Sequence, residues 1–445
     1  MLPRMVRALV VLLLTLVAAK LYFSQVFTQP GLDFYHFWGV PAALELSGHR
    51  LGSPYARGEQ YAQVLNDHAG TVLGDEKLAR VNRERRTLDL TGSPLLYTAF
   101  AVLPKNYSTA LGLFRGFEVV LFLVAVALLG SAYHYAPFLS ATLGLTLLIA
   151  ADPYKNDLSL GNIDILLLCG LAGGLAMIEN LPGRPAWRRL TFSSGVLAGL
   201  ACLTLLKPLV LLPCLFLAIG LCRSQSKRSS LASSGIAWAS TLALVLLPCL
   251  YFGSWTVWSD WYQAVYGADQ KRLFYPVEQG NFSFMLLASD RLGVRYVPLA
   301  AGLGTLLLTS LLLVATPGRR PEGTGQSVAI WDPHLLVSLG VLATFALSPL
   351  AWVHYYMLLL IPALWLGSLS AQSMVIAFLG LTALAMSSGA ADYFLLPFQR
   401  DTLIPWLRAL SWLPAWIGIL LVIRAGTRGI PVEAPIARRH PGRLL

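Results

Sequence analysis

Long apolar runs broken by short polar stretches dominate the chain. They lie near residues 8–25, 108–130, 137–152, 161–178, 191–206, 208–222, 231–253, 294–315, 334–349, 353–370, 374–390 and 408–424. A helix that crosses the hydrocarbon core takes about 20 mostly apolar residues, so these runs predict an all-α, polytopic integral membrane protein of about twelve transmembrane helices. The short alternating segments of an outer-membrane barrel are absent. Two pairs of runs are short. Residues 191–222 are interrupted by Lys207-Pro208, and residues 334–370 by Ser348-Pro349-Leu350-Ala351-Trp352. Proline ends or kinks the helix before it. Each pair is therefore a kinked helix or a hairpin with its apex at the outer face. Arg clusters on both sides of the first pair require an even number of crossings there, which favours the hairpin.

Charge sets the orientation. Arg4 and Arg7 precede the first run, which reads as a retained first span with a cytoplasmic N-terminus. A signal peptide would have a shorter apolar region and a clear small-residue cleavage site. Even-numbered loops then carry Arg184, Arg188 and Arg189, next Arg223, Lys227 and Arg228, next Arg319 and Arg320. This is the positive-inside pattern. Residues 1–424 form the membrane domain and 425–445 a basic cytoplasmic tail with Arg428, Arg438, Arg439 and Arg443. Large outer loops are expected at 26–107 and 254–293, and a smaller one at 391–407.

Composition narrows the class. The chain is 56% hydrophobic and 12% charged, against about a quarter charged in soluble domains. Soluble enzymes, disordered chains and disulfide scaffolds are excluded. The net charge of +11 is topology charge in loops, so no nucleic acid partner is expected. The five Cys all fall in apolar runs without a CxxC pair and read as small core residues.

Candidate chemistry gathers near the outer face. Asp33 follows the first span, at the head of a segment, 34–47, with apolar residues at helical spacing. That segment reads as an amphipathic helix lying at the interface. Asp33 either caps it or serves as a general base whose pKa is raised by desolvation. Helix N-termini at Gly161-Asn162-Ile163-Asp164, after Lys207, and near His354-Tyr355-Tyr356 should face the same leaflet. Such termini favour phosphate. Lys207 and His354 would add donors, although snorkelling and an aromatic belt explain them equally. Asp164 within an apolar run needs a partner, for which Lys155 is a local candidate. Arg115 and Glu118 read as an i,i+3 ion pair, and Arg80, Arg83, Arg85 and Arg86 as a solvated face. No zinc spacing, P-loop, dinucleotide fingerprint or nucleophile elbow is present, so neither a metal nor a cofactor is expected.

Several segments, in order, resemble glycosyltransferase family eighty-seven of the GT-C superfamily. They are LDFYHFWGVPAALELSGHRLGSPYA, SPLLYTAFAVLP, LSLGNIDILLL, GVLAGLACLTLLKPLVLLPCLFL and LSPLAWVHYYMLLLIP. Asn162 stands where that family more usually has Gln, Asp164 where Asn is common, and Ala351 where Ser is common. The resemblance implies a GT-C-type fold with a long first extracytoplasmic loop, in a bacterial plasma membrane. It implies transfer of one hexose, often mannose in this family, from a polyprenyl-phosphate donor to a glycolipid or glycan acceptor. The carboxylate base maps onto Asp33. Lys207, His354 and Asn162 would hold the donor phosphate. Asp164, Tyr35, His36, Trp352, Tyr355 and Asn281 are candidate sugar or acceptor contacts. The aromatic loop with Trp255, Trp258, Trp261, Tyr262 and Tyr275 would cover the sugar. Rival readings are a lipid or lipid-linked sugar transporter, and a glycan ligase that uses a lipid diphosphate donor.

Overall fold

The computed structural model describes residues 4–69, 75–84, 87–181, 185–223, 227–266, 281–315, 332–369 and 400–427. The regular secondary structure of these residues is helical. The sole β contact among them is a single antiparallel bridge between Asn281 and Trp352. Among the described residues, six helices are long and apolar enough to cross a membrane: Arg4–Val26, Tyr107–Ala132, Trp187–Leu206, Ser229–Phe252, Tyr296–Val314 and Pro405–Arg424. Their outward faces are apolar and exposed, as at Leu9, Leu12, Leu13 and Leu16, and at Leu306, Leu308, Leu312 and Leu313. Lipid rather than water suits such a surface. The protein is a polytopic membrane protein. Every expected span outside 374–390, which lies outside the described residues, coincides with a helix.

The helices that build the centre are shorter. They are α7 (Pro137–Ala150), α8 (Asp152–Leu160), α9 (Asp164–Glu179), α11 (Leu211–Arg223), α16 (Pro333–Leu347) and α17 (Leu360–Leu369). The long ones include α1 (Arg4–Leu21), α6 (Tyr107–Ala132), α10 (Ala186–Leu206), α12 (Lys227–Phe252) and α15 (Tyr296–Ala315). α16 is buried along nearly its whole length. At 15 residues it spans about 22 Å, less than the roughly 30 Å hydrocarbon core. In hydrocarbon, non-helical backbone next to so short a helix is tolerable only where protein encloses it or a cavity meets it.

Small residues let these short helices approach closely, as in other membrane interfaces. A Cβ on Gly340 of α16 would lie 2.6 Å from the backbone of Pro213 in α11, and one on Gly220 of α11 would lie 3.0 Å from Pro333. The two helices are thus antiparallel. Gly170 of α9 faces Leu203 of α10, while Gly174 faces Leu217 of α11 and Leu200 of α10. Leu200 and Leu217 meet the same glycine from either side of Lys207-Pro208, so the chain folds back there as a hairpin. In consequence the start of α9, the end of α10, the start of α11 and the end of α16 share one level. α8 and α9 meet at 119°.

The first loop folds over that level. It comprises α2 (Leu32–Leu46), α3 (Gly58–Ala69), α4 (Glu76–Glu84) and α5 (Pro94–Phe100). The expected interfacial helix is corrected here. α2 buries Phe34, Tyr35, His36, Trp38, Val40, Ala43 and Leu44, so it is enclosed rather than lying on a surface. The reason is tertiary: the other loop helices and the head of α6 cover its second face. Tyr107 donates to the Pro30 and Gly31 carbonyls at 2.6 and 2.9 Å, and Trp38 Nε1 donates to the Pro104 carbonyl at 2.9 Å. Asp75 accepts from the Ser108 amide and hydroxyl, both at 2.6 Å.

Candidate active site

A cavity of about 1000 Å³ opens where the first loop meets the ends of the short helices. Asp33, Asn162, Lys207, His354, Trp352, Tyr355 and His36 all line it. They come from four separate stretches of chain, and local backbone features bring them together. Gly161 ends α8 in the left-handed region, at φ 70°. A Cβ there would stand 2.6 Å from the Phe34 Cβ. Glycine therefore lets α2 lie directly against the break between α8 and α9. The amides of Gly161 and Asn162 both donate to the Asp157 carbonyl, at 2.8 and 3.0 Å, which fixes the turn.

Asp33 sits at the second position of α2, after Gly31 as N-cap, and no side-chain cap bond is made there. The capping alternative is thus not what the residue does. Its Oδ2 accepts from Asn162 Nδ2 at 2.8 Å. Burial pushes its carboxyl up to about 6, against the pull of Lys207 and the Asn162 hydrogen bond, with Asp89 and Asp164 adding to the rise. A carboxyl that titrates near 6 is suited to general-base work close to neutral pH.

Asn162 links three groups. Besides Asp33, its Nδ2 lies 3.1 Å from His354 Nε2, and its Oδ1 accepts from Lys207 Nζ at 3.1 Å. Lys207 also donates to both oxygens of Asp164, at 2.9 and 2.8 Å, and stands 4.5 Å above the Tyr355 ring. The expected pairing of Asp164 with Lys155 is corrected. Lys155 bonds Asp152 at 2.8 Å within its own helix, whereas Asp164 pairs with Lys207. His354 Nε2 is also 3.5 Å from Asp164, and its Nδ1 is enclosed without a hydrogen bond.

The other expected contacts divide. Asp164 is completely buried behind Lys207 and does not line the cavity. Tyr35 is also fully buried and packs edge-on against His36 and Tyr107, away from the cavity. Asn281 is buried and its amide is engaged with backbone. Its Nδ2 donates to the Pro349 carbonyl at 2.9 Å, and its Oδ1 accepts from Ala351 N at 2.8 Å. It clamps the segment that carries Trp352 and His354. The tenth expected span begins as a tight 3-10 helix, Val353–Leu359, before α17. Of the aromatic loop, Trp261 lines the cavity, Trp258 turns its indole to the Val245 carbonyl at 2.9 Å, and Trp255 and Tyr262 are exposed. Tyr275 lies outside the described residues. Arg80 and Arg83 are exposed, and Arg85 and Arg86 lie outside the described residues.

The expected Arg115–Glu118 pair is also corrected. Arg115 is buried, and it donates instead to the carbonyls of Leu158 at 2.6 Å, Gln29 at 3.0 Å, Phe27 at 3.3 Å and Ser159. The fork of guanidinium donors suits several carbonyls at once. Asp89 and Asn156 line the cavity and were not anticipated. Asp89 stands in Thr87-Leu88-Asp89-Leu90-Thr91, just before the Ser93-Pro94 start of the second expected motif. That adjacency was the available signal.

The sequence model of glycosyltransferase family 87 matches residues 92–349, more than half of the chain. The chain belongs to glycosyltransferase family 87. The match takes in Asn162, Asp164 and Lys207, while Asp33 and His354 fall on either side of it. A curated relative from Mycobacterium tuberculosis (strain ATCC 25618 / H37Rv), the polyprenol-phosphate-mannose-dependent alpha-(1-2)-phosphatidylinositol mannoside mannosyltransferase, is 24% identical over 307 residues. The aligned region is 65% of this chain and spans 63% of that relative's length. No solved structure matches.

Proposed function

We propose that this family 87 chain transfers a single hexose, mannose by likeness to the mycobacterial relative, from a polyprenyl-phosphate donor to a hydroxyl of an envelope glycolipid or glycan. The reading places about twelve spans in a bacterial inner membrane, with the cavity on the extracytoplasmic side and the start of α1 in the cytoplasm. One observation carries it. A carboxylate tuned to about 6 is joined through a single amide to a lysine and a histidine in one cavity.

In this mechanism Asp33 takes the proton of the acceptor hydroxyl as that oxygen attacks the anomeric carbon. The bond from the anomeric carbon to the phosphate oxygen breaks, and polyprenyl phosphate leaves with the electron pair. Lys207 meets the charge that develops on the phosphate. Asn162 and His354 hold the lysine and Asp33 at a fixed spacing. A single displacement inverts the anomeric configuration.

The test uses membranes that contain wild type or Asp33→Asn at equal protein level, with a panel of radiolabelled polyprenyl-phosphate sugars. Transfer by wild type and a loss of about 10³-fold or more in the variant is expected for removal of a general base. Equal transfer by both removes Asp33 from the chemistry. A product that keeps the donor's anomeric configuration contradicts single displacement. Counterflow of lipid-linked sugar without covalent transfer would favour the transporter, whose broken helices α8 and α9 resemble.

A further inference from the structure

Two sets of hydrogen bonds flank Asp33 in the cavity. One runs through Asn162 to Lys207 and His354. The other starts one turn along α2, at His36, and runs from there into the first loop. The Asp89 amide donates to His36 Nδ1 at 2.9 Å, and the Tyr97 hydroxyl donates to the Asp89 carbonyl at 3.4 Å. The backbone of Asp89 is thereby held, and its side chain lines the cavity together with Thr91 and Trp261. The Trp261 indole donates to the Thr91 carbonyl at 3.3 Å, which fastens the aromatic helix to this wall.

Single displacement needs the attacking oxygen, the anomeric carbon and the leaving oxygen in line. Donor phosphate and acceptor therefore lie on opposite sides of the sugar carbon. The lysine chain serves the phosphate, so the acceptor falls to the His36–Asp89 chain. A carboxylate is an acceptor-only group, which matches a hydroxyl of a sugar or polyol. An indole face suits the C–H face of a sugar ring.

We propose that Asp89 is an acceptor-specificity residue. Its carboxylate accepts a hydrogen bond from one hydroxyl of a polyol or glycoside acceptor, with Trp261 against the acceptor's ring. Asp89 transfers no proton and forms no bond to carbon. This rests on the sugar-transfer reading above and extends it to the acceptor's chemical class.

The test uses the full-length purified protein with a radiolabelled polyprenyl-phosphate mannose donor. Octyl mannoside and its monodeoxy analogues serve as acceptor probes for wild type, Asp89→Asn and Asp89→Glu. Asp89→Asn is expected to raise the acceptor KM about 10- to 100-fold, the range for a charge-assisted hydrogen bond, while kcat stays within about threefold. The deoxy analogue that wild type uses worst should lose its handicap in Asp89→Asn, and Asp89→Glu should restore part of the affinity. An unchanged acceptor KM, a fall in kcat alone, or a deoxy penalty that persists in the variant would overturn the role. If Asp89→Asn does not fold, the deoxy ratios of Asp89→Glu decide, since unchanged ratios overturn it. Wild type that transfers from no polyprenyl-phosphate sugar overturns the reaction and this proposal together. Active wild type with an indifferent Asp89→Asn overturns this proposal alone.

Discussion

Arg115 and Lys207 are both cations enclosed by apolar helices, yet they are held differently. Arg115 is 1% exposed and donates to four backbone carbonyls in two stretches, joining α6 to the end of α8 and to the chain before α2. Lys207 keeps a side-chain exposure of 17%, lines the cavity and is paired with a carboxylate. Arginine's fork can satisfy several fixed carbonyls, and it closes the space around itself. Lysine is a compact point charge with rotatable donors. Balanced by Asp164 behind and open to the cavity in front, it can turn to an arriving anion. A buried charge in a membrane protein is a functional candidate by default. On the proposed reading, the partner and the open side separate a buried charge that acts on substrate from one that staples helices.

Of the two cations, the larger effect on activity is expected at Lys207. Lys207→Met should lower kcat by about 10²–10³, the usual loss for one electrostatic stabiliser. It should also lower Tm, because Asp164 is left as an uncompensated buried charge, a cost of about 3–5 kcal/mol. Adding Asp164→Asn should restore much of the Tm and none of the activity. Activity that returns with the second change would make Lys207 a structural partner like Arg115.

Arg115→Met is expected to behave in the opposite way. Hydrogen bonds to charged groups contribute about 1.5–3 kcal/mol each, so thermal unfolding in detergent should shift strongly downward. The kcat per folded molecule should stay within about threefold, because no atom of Arg115 reaches the cavity. A selective loss of kcat with an unchanged Tm would erase the distinction between the two cations.

A smaller effect is expected from Asn162→Ser. Asn162 lowers the Asp33 pKa by donating to it, so its loss should move the acidic limb of the kcat/KM profile above the wild-type position near 6. An acidic limb that stays put or moves down would show that the amide does not couple the two sides of the site.

Much of this architecture was legible from hydropathy. The runs located the helices, and Lys207-Pro208 marked a hairpin because proline cannot continue the helix before it. Asp33, Asn162, Lys207 and His354 were each visible as polar residues at the ends of apolar runs. What stayed hidden is which of them meet. Asp33 and Asn162 are 129 positions apart, and Asn162 and His354 are 192 apart. Asp164 was matched to a nearby lysine, whereas its partner lies 43 positions on, across a helix hairpin. The spacing of Arg115 and Glu118 suited an ion pair, but carbonyls left over at the end of α8 were stronger competitors for a guanidinium. α2 looked two-faced because periodicity reports one covered side and carries no sign of a second. Asp89 lay in a loop without periodicity, so only the folded first loop reveals it.

The most direct test of Asp33 as the base is the pH dependence of kcat/KM, which reports the ionisation of the free protein. A base must be ionised to accept a proton, and burial holds Asp33 near 6. The kcat/KM should therefore be low below pH 5, rise through an acidic limb centred near 6 and level off above pH 7, with the limb missing from the residual activity of Asp33→Asn. A profile that is flat across that range, or an unchanged limb in the variant, would contradict the account.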